Sequence, residues 1–372
     1  MKSLTKPLVL LIIIALAHMV NDWYSLLIPS AIPLIKKHFT MNYLQAGILV
    51  SAPYVIAAVM QSPFAHLSEK YAKRKLFLVG GFLILSFSYL LFACSNTYII
   101  MFLAAVLIGF GLATYHPQGI GMLSDVFIQK KGTAIGINGI GGALGYLLAP
   151  ITMGYLLSKY GMKSFFIVVI PGIIMALLIF FVLRIQEKPQ NVKVSKSFNK
   201  DMFVLTIIAL ILPFFTRGMV AFLPAYFYSK GSNILDANLE ASVMLVAGIF
   251  AQPFGGFISD RIGRQLIISI SYLLMGLFLL LFLKTESVLF LFFTGCFTSL
   301  SVPSRFALAT EINKGSANTN IAIMFSAVMI GASVAPTIIG ALVDAFGFNI
   351  AFGLNILIAF LGSGLVWLIH KR

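Results

Sequence analysis

The sequence is poor in charged residues, and poorest in acidic ones. Only 10% of its 372 residues are charged, with 11 Asp and Glu against 26 Lys and Arg, while 60% are hydrophobic. A water-soluble domain of ordinary composition cannot hide that much apolar surface in its core. The chain is therefore expected to be solvated by lipid.

Cysteine and the common catalytic motifs are also scarce or missing. Cys94 and Cys296 fall inside apolar stretches and belong to no motif, so neither a disulfide framework nor a metal site is indicated. The sequence has no HExxH motif, no pair of central aspartates and no nucleotide-binding P-loop. We expect no catalytic residue and no cofactor, which argues against a membrane enzyme and against transport driven by ATP on this chain.

Long apolar runs dominate what is present. A hydrocarbon core of about 30 Å needs roughly 20 helical residues, whereas a membrane β-barrel would show short alternating segments. The pattern predicts an all-α polytopic membrane protein with twelve transmembrane helices, the first retained rather than cleaved as a signal peptide. The predicted spans are 8–35, 43–67, 76–94, 97–124, 132–157, 164–184, 201–228, 238–258, 265–283, 287–310, 318–343 and 348–370.

Positive charge is distributed unequally between the two ends of the spans. With the amino terminus inside, eighteen Lys and Arg fall on the cytoplasmic side and six on the other. The positive-inside rule then places both termini in the cytoplasm, as an even number of spans requires, in a plasma (inner) membrane. Lipid thus explains the net charge of +15, and nucleic-acid binding is not needed to account for it.

The chain reads as two related halves. A polar segment rich in Lys predicts a cytoplasmic linker at 185–200 between six-helix bundles at 1–184 and 201–372. Six positions of the first half recur 186 residues later as the same or a similar residue. They are Pro117, Asp125, Gly145, Pro150, Gly154 and Gly161, matched by Pro303, Glu311, Gly331, Pro336, Gly340 and Gly347.

A charged loop is also present in both halves. Residues 256–264 carry the pattern G-x-x-x-D-R-x-G-R, and residues 65–74 are a degenerate copy of it. This pattern resembles the loop that major facilitator superfamily transporters repeat between their second and third and their eighth and ninth helices. The resemblance implies two pseudo-symmetric bundles, alternating access and a small-molecule site near mid-bilayer. We expect a monomer.

A polar stripe runs along the first span. His18, Asn21, Asp22 and Ser25 are spaced at i, i+3, i+4 and i+7 on an otherwise apolar helix. Ionisable groups within a membrane are expensive and indicate function. Near the start of each half, corresponding residues lie 195 positions apart, and this offset makes Arg217 the counterpart of Asp22. The two could instead form a purely structural ion pair, and His18 could be an ordinary hydrogen-bonded interior histidine.

The fourth span carries Tyr115-His116-Pro117-Gln118-Gly119. Gln118 and Gly119 fit the drug-antiporter pattern R-x-x-Q-G, but Tyr115 replaces its Arg, so proton coupling would pass to Asp22, His116 or Arg217. The spacing His18-x-x-Asn21-Asp22 together with His116-Pro117 is most similar to the fosmidomycin-resistance branch of the superfamily. That resemblance implies a proton-driven drug exporter.

One further Arg lies within a predicted span. Arg305, in the tenth span, could draw in an anionic substrate from the cytoplasmic side, or it could snorkel or pair locally.

Glycine and proline mark the fifth and eleventh spans. Part of the antiporter signature G-x8-G-x3-G-P-x-x-G-G is present in the fifth span, with Ala149 and Met153 as departures. We expect a rocking hinge, although close helix packing would also explain the small residues. The hinge candidates are Gly136, Gly145, Pro150, Gly154, Gly331, Pro336 and Gly340.

The charged loops predict gating latches that close the cytoplasmic side through ion pairs and helix-end contacts. The candidates are Glu69, Lys70, Lys73, Asp260, Arg261 and Arg264, with Asp125 and Glu311 as partners. Because the second loop meets the pattern in full, we expect Asp260→Asn to impair transport more than Glu69→Gln.

These features together predict a secondary active transporter, with proton-coupled efflux of a small amphipathic or anionic compound as the first hypothesis. The expected partners are the substrate, protons and the lipid bilayer. The alternative in the same fold is an importer or facilitator of an organic anion. The sequence leaves open the identity of the substrate, the direction of transport and the coupling ion.

Overall fold

A computed structural model describes residues 5–185, 199–312 and 317–370, with side chains at all of these positions except 131, 132, 317–319 and 322. These residues form sixteen α-helices and no strands. The helices are α1 Pro7–Ser25, α2 Leu27–Phe39, α3 Tyr43–Lys70, α4 Arg74–Ala93, α5 Tyr98–Ala113, α6 Tyr115–Val126, α7 Lys131–Tyr160, α8 Ser164–Ile167, α9 Val169–Val182, α10 Lys200–Ile211, α11 Val220–Ser229, α12 Ile234–Ile262, α13 Arg264–Thr285, α14 Val288–Ile312, α15 Ala317–Phe346 and α16 Phe348–Leu365.

The prediction of an all-helical, multi-pass membrane protein is confirmed. Within the described residues, 11 helical stretches are long and apolar enough to cross a membrane. The predicted sixth span, 164–184, is instead divided between α8 and α9, and α9 has only 14 residues. Large apolar side chains such as Phe87 and Phe181 are exposed, as a lipid-facing surface requires.

The chain divides into two compact units. The first contains Met1–Thr40 and Ala52–Val192, and the second contains Met41–Ser51 and Lys193–Arg372. Part of the predicted linker, residues 186–198, lies outside the described residues. The predicted bundle boundaries at 184 and 201 stay a prediction.

Each unit has an aromatic core of its own. In the first, Tyr89 stacks on Tyr24 with ring centroids 5.0 Å apart and also contacts Phe92 and Phe165. The Tyr24 hydroxyl donates to the carbonyl oxygen of Val168 at 2.7 Å, so its buried polar end is satisfied. In the second, Tyr226 contacts Phe282, Phe348 and Phe352.

A break at Leu26 separates α1 from α2, four residues after Asp22. The following Pro29 explains part of it, because proline has no N–H to donate to the carbonyl of residue 25 and its ring crowds that group. The Tyr54 hydroxyl of α3 donates to the Ser25 carbonyl at 3.2 Å instead. A freed backbone group at membrane depth thus finds a partner on a neighbouring helix.

The second unit has a related irregularity at the equivalent place. Between α10 and α11 the backbone forms a π-helical turn, Phe214–Met219, and this turn contains Arg217. Such turns are rare in proteins as a whole, but those that occur are often at functional sites. In both units, therefore, the first long helix departs from regular α geometry close to its one central charged residue.

Two glycines allow the fifth helix of each half to approach the first. A Cβ atom on Gly145 of α7 would overlap the Met19 carbonyl oxygen of α1, and one on Gly331 of α15 would overlap the Leu210 carbonyl of α10. Such close backbone contact needs a residue without a side chain. The two glycines related by the offset of 186 thus both pack against the backbone of α1 or α10, although their contacts lie one helical turn apart when the offset of 195 is applied.

The loss of stability on removing the Tyr54–Ser25 hydrogen bond should depend on whether residue 29 is a proline. Tyr54→Phe should lower the free energy of unfolding by about 1 kcal/mol, because it removes the side-chain donor from the carbonyl of the half-buried Ser25. In a Pro29→Ala background the loss should be smaller, because residue 29 regains an N–H that can reach the Ser25 carbonyl. Thermal unfolding in detergent of the four proteins of this cycle provides the measurement.

The exposed Tyr155 supplies the control, since Tyr155→Phe should have no effect in either background. An equal loss of stability from Tyr54→Phe with and without Pro29 would contradict the role of Pro29 in freeing the Ser25 carbonyl.

Candidate functional site

The site is centred on Asp22, which is almost completely buried in the last turn of α1. His18 precedes it by one turn of α1, and its Nε2 lies 3.2 Å from Asp22 Oδ2. From α6, His116 Nε2 lies 3.9 Å from the other carboxylate oxygen, Oδ1. The predicted site residues His18, Asp22 and His116 are therefore brought together by the structure, all within the first unit.

The orientation of His18 is fixed by the backbone of α7. Its Nδ1 lies 2.8 Å from the carbonyl oxygen of Asn138, which is buried in α7. A carbonyl oxygen can only accept, so Nδ1 must carry a hydrogen. The Nε2 atom is left to face the carboxylate of Asp22.

One proton is consequently required between His18 and Asp22. With Nδ1 protonated, a neutral His18 would direct the lone pair of Nε2 at a carboxylate oxygen 3.2 Å away. That arrangement is repulsive, and it is costly at a buried site of low dielectric constant. A proton on either atom turns the repulsion into a charge-assisted or neutral hydrogen bond.

Tyr115 supports this arrangement from α6. Its hydroxyl lies 2.7 Å from Asn138 Oδ1 and 2.9 Å from the Ile14 carbonyl oxygen, both hydrogen-bond acceptors. Its ring stacks on that of His18 with centroids 4.8 Å apart. The residue that replaces the Arg of the antiporter pattern thus holds the histidine and its carbonyl partner in place.

Asn21 extends the polar stripe. Its Nδ2 donates to Asp22 Oδ1 at 3.1 Å, while its own Oδ1 is buried without a hydrogen-bond partner. Gln118, by contrast, faces α3, where its Nε2 donates to the Phe64 carbonyl and to the Ser68 hydroxyl, each at 3.2 Å. The structure therefore includes Asn21 in the Asp22 group and gives Gln118 a separate set of contacts.

The same three ionisable side chains are the group best placed to hold a metal within the described residues. One potential ligand atom from each of His18, Asp22 and His116 lies within 4.8 Å of the others. The His18–Asp22 distance of 3.2 Å is already that of a hydrogen bond. These two groups can satisfy each other with a proton and need no metal to do so.

Arg217 and Arg305 both lie in the second unit. Arg217 occupies the π-helical turn and is half-buried. Arg305 of α14 is only 1% exposed, and its Nε and Nη1 have no hydrogen-bond partner. A buried guanidinium with free donors is expensive and favours an anionic partner. The predicted pairing of Asp22 with Arg217 stays a prediction.

The charged loops are organised around one Arg in each half. Arg264 at the start of α13 contacts Asp260, Glu311 at 3.1 Å and the Ser259 hydroxyl at 2.6 Å. Glu311 is thus a partner of the loop, as the sequence predicted. Arg261 lies instead over the Phe257 ring, with its guanidinium carbon 4.2 Å from the ring centroid.

In the first half the sequence comparison assigned the wrong basic residue. Arg74 at the start of α4 contacts Glu69 at 3.0 Å and Asp125 at 2.5 Å, whereas Lys73 is exposed and precedes the helix. Lys70 lies over the Tyr71 ring at 5.4 Å. The physical reason is one extra residue in this loop, which shifts the helix start so that Arg74 corresponds to Arg264.

The predicted hinge residues lie in continuous helices. Pro150 falls inside α7 and Pro336 inside α15, and neither helix is interrupted there. Gly145, Gly331 and Gly340 each approach the backbone of another helix, while a side chain on Gly136 would meet nothing within 4 Å. Close packing accounts for three of these glycines, and hinge motion at Gly136, Gly154 and the rest stays a prediction.

The helices define the class of this protein as a multi-pass membrane protein, and the family to which it belongs consists of transporters. The sequence model of the Major Facilitator Superfamily matches residues 11–241 and 205–372, and the chain belongs to that family. It is a transporter and not an enzyme. The resemblance stated from the sequence is confirmed.

Two of its relatives carry different functional names. The fosmidomycin resistance protein of Escherichia coli (strain K12) is 24% identical over 68% of this chain and 66% of its own length, so the match spans slightly less than two thirds of that protein. The probable nitrate transporter NarT of Staphylococcus carnosus (strain TM300) is 24% identical over 73% of this chain and 71% of its own length.

Solved structures show the same fold. A bacterial homologue of the human lysosomal transporter Spinster, in an inward-facing and occupied conformation, superposes with a TM-score of 0.87 at 17% identity, covering 98% of this chain and 97% of its own. A D-xylose–proton symporter superposes with a TM-score of 0.79 at 14% identity, covering 97% of both chains.

Burial predicts which of the two latches contributes more to stability, while the expected order of their effects on transport stays a prediction. The Glu69 side chain is 19% exposed and Asp260 is 61% exposed. Removing the charge of Glu69 should lower stability by about 1–2 kcal/mol, because it weakens the pairing of a buried Arg74. Removing that of Asp260 should cost about 0–1 kcal/mol, as is usual for exposed pairs.

Thermal unfolding of Glu69→Gln and Asp260→Asn in detergent, at matched expression, tests this order. A larger loss of stability from Asp260→Asn than from Glu69→Gln would contradict the order expected from burial.

Proposed function

We propose that this protein is a proton-coupled exporter of a small amphipathic or anionic compound. The observation that carries the proposal is the His18–Asp22 pair, which requires one proton while His18 Nδ1 donates to the Asn138 carbonyl. A buried group that must gain and lose one proton is what coupling to a proton gradient needs. The identity of the substrate is not part of this argument.

The site has an accessible member and a protected one. His116 is 34% exposed, whereas the Asp22 side chain is 5% exposed and that of His18 is 12% exposed. His116 is therefore the member that exchanges protons with water, and it passes them to Asp22 across the 3.9 Å that separates them. Export then follows if Asp22 takes up a proton from outside and the site releases it inside.

Alternating access supplies the motion in this proposal. The two six-helix bundles rock about the glycine-rich α7 and α15, and the clusters of Arg74 and Arg264 hold the cytoplasmic ends of their helices in the closed state. Both termini face the cytoplasm of a plasma (inner) membrane, as the distribution of Lys and Arg indicates. The working unit is a monomer.

The relatives support the substrate class. Fosmidomycin resistance and nitrate transport are named for two of them, and both names fit an anion. Arg305, with Nε and Nη1 unpaired in a buried side chain, offers donors for such a group. The same Arg supports a second candidate function, an importer or facilitator that uses Arg305 for an organic anion without proton exchange.

A deletion strain screened for sensitivity to drugs, phosphonates and organic acids identifies the substrate. Transport of that compound into inverted membrane vesicles then separates the two candidates. An uncoupler that dissipates the proton gradient should abolish concentrative uptake by an exporter. Unchanged uptake with the uncoupler present would favour the facilitator.

Asp22→Asn should separate coupling from movement of the substrate. It should abolish gradient-driven uptake, because the site can no longer bind and release the proton, while exchange of labelled for unlabelled substrate continues. The exposed Asp236→Asn is the matched control and should retain both activities. Gradient-driven uptake by Asp22→Asn at the parent rate would exclude this residue from coupling.

A further inference from the structure

We propose that Asn138 and Gly142 of α7 are positioning residues of the proton site, so that the contact between α1 and α7 depends on the protonation of His18 and Asp22. The inference rests on the proposed proton-coupled function and extends it to α7, which contacts the site through a main-chain carbonyl and a glycine. It also gives the glycines of α7 a role other than that of a hinge.

One face of α7 is fitted to α1 through four positions. Asn138, Gly141, Gly142 and Gly145 fall at i, i+3, i+4 and i+7 of α7 and therefore share a face. Cβ atoms on Gly141 and Gly145 would overlap the carbonyl oxygens of Ala15 and Met19, respectively. The backbones of the two helices are thus in direct contact over two turns.

Gly142 lies directly against the proton-binding pair. A Cβ atom placed on it would be 2.7 Å from Asp22 Oδ2 and equally close to Cε1 and Nε2 of His18. The proton is held between two of these atoms, Asp22 Oδ2 and His18 Nε2. A side chain at position 142 would force Asp22 or His18 to shift.

Asn138 contributes its main chain to His18 and its side chain to Tyr115. Its carbonyl oxygen accepts from His18 Nδ1 at 2.8 Å, and its Oδ1 accepts from the Tyr115 hydroxyl at 2.7 Å. A displacement of α7 along α1 would break the bond between His18 Nδ1 and the Asn138 carbonyl. The single hydrogen of a neutral His18 could then lie on Nε2, facing Asp22, and the pair would no longer require an additional proton.

Loss of the proton should therefore destabilise the contact between α1 and α7. Deprotonation places the Nε2 lone pair opposite a carboxylate, and α7 prevents His18 from moving away because glycine and carbonyl contacts hold both helices. The repulsion is relieved when α1 and α7 shift relative to each other. Two packed helices with discrete arrangements can convert such a local change into a larger one.

The groups that face the pair come from three helices. His18 and Asp22 themselves belong to α1, while α6 contributes the two titratable residues His116 and Tyr115. From α7, the Asn138 carbonyl and the Gly142 backbone, neither of which titrates, lie against the pair, and the titratable Tyr146 follows one turn after Gly142. A change at Gly142 therefore alters the surroundings of the pair without adding or removing an ionisable group.

Trp23 offers a direct measurement on the purified, full-length protein. It adjoins Asp22, and its Nε1 donates to the Thr152 hydroxyl of α7 at 2.7 Å. The chain has 2 tryptophans, so Trp367→Phe leaves Trp23 as the sole reporter. Its fluorescence, titrated in detergent from about pH 4 to about pH 10, should follow protonation of the site. Asp22→Asn should abolish this titration.

Gly142→Ala should move the midpoint of the titration to lower pH by about one unit, since the added methyl group separates the imidazolium from its carboxylate. Gly139→Ala is the matched control, because a Cβ atom at Gly139 would meet nothing within 4 Å. Its midpoint should equal that of the parent. Both variants exchange a glycine for an alanine in the same helix.

Tyr115→Phe tests the same inference without adding volume, and it serves if Gly142→Ala does not fold. It should also shift the midpoint, since it frees the Asn138 side chain. Suppose that Asp22→Asn abolishes the titration but that the midpoints of the folded Gly142→Ala and Tyr115→Phe variants equal that of the parent. This result would overturn the role of α7 and leave the proposed function standing. A parent titration that survives Asp22→Asn would instead remove the proton site itself, and the proposed function with it.

Discussion

The structure of the site depends on the close contact between α1 and α7. Gly141, Gly142 and Gly145 allow two helix backbones to meet, and this contact brings the Asn138 carbonyl to within 2.8 Å of His18 Nδ1. That hydrogen bond fixes the ring, and the fixed ring makes a proton necessary between His18 and Asp22. A local packing arrangement thus determines a charge state deep in the protein, where charge is most expensive.

Much of the fold and part of the site could be predicted from the sequence, for identifiable reasons. Twenty-residue apolar runs and the distribution of Lys and Arg respond to the bilayer itself, so they are visible without a structure. The i, i+4 spacing of His18 and Asp22 placed them together because helix geometry alone decides that distance. A resemblance and its depth in the fourth span identify His116 as a candidate, but its distance of 3.9 Å from Asp22 could not be predicted.

Other features could not be predicted, because they depend on backbone geometry between distant segments. Asn138 acts on His18 through a main-chain carbonyl, which every residue type possesses and no motif can reveal. Gly142 was one of many glycines in the fifth span, and only the three-dimensional contact distinguishes it from Gly139. Lys73 was preferred to Arg74 because a one-residue insertion in the loop is invisible to a pattern that assumes equal spacing.

The proposed coupling requires that His18 and Asp22 together hold one exchangeable proton. Proton uptake by the purified protein, measured with an indicator dye after a drop in pH, tests it most directly when the parent is compared with a His18→Gln and Asp22→Asn double variant. The parent should take up about one proton more per molecule than the variant. Equal uptake by the two proteins would contradict it.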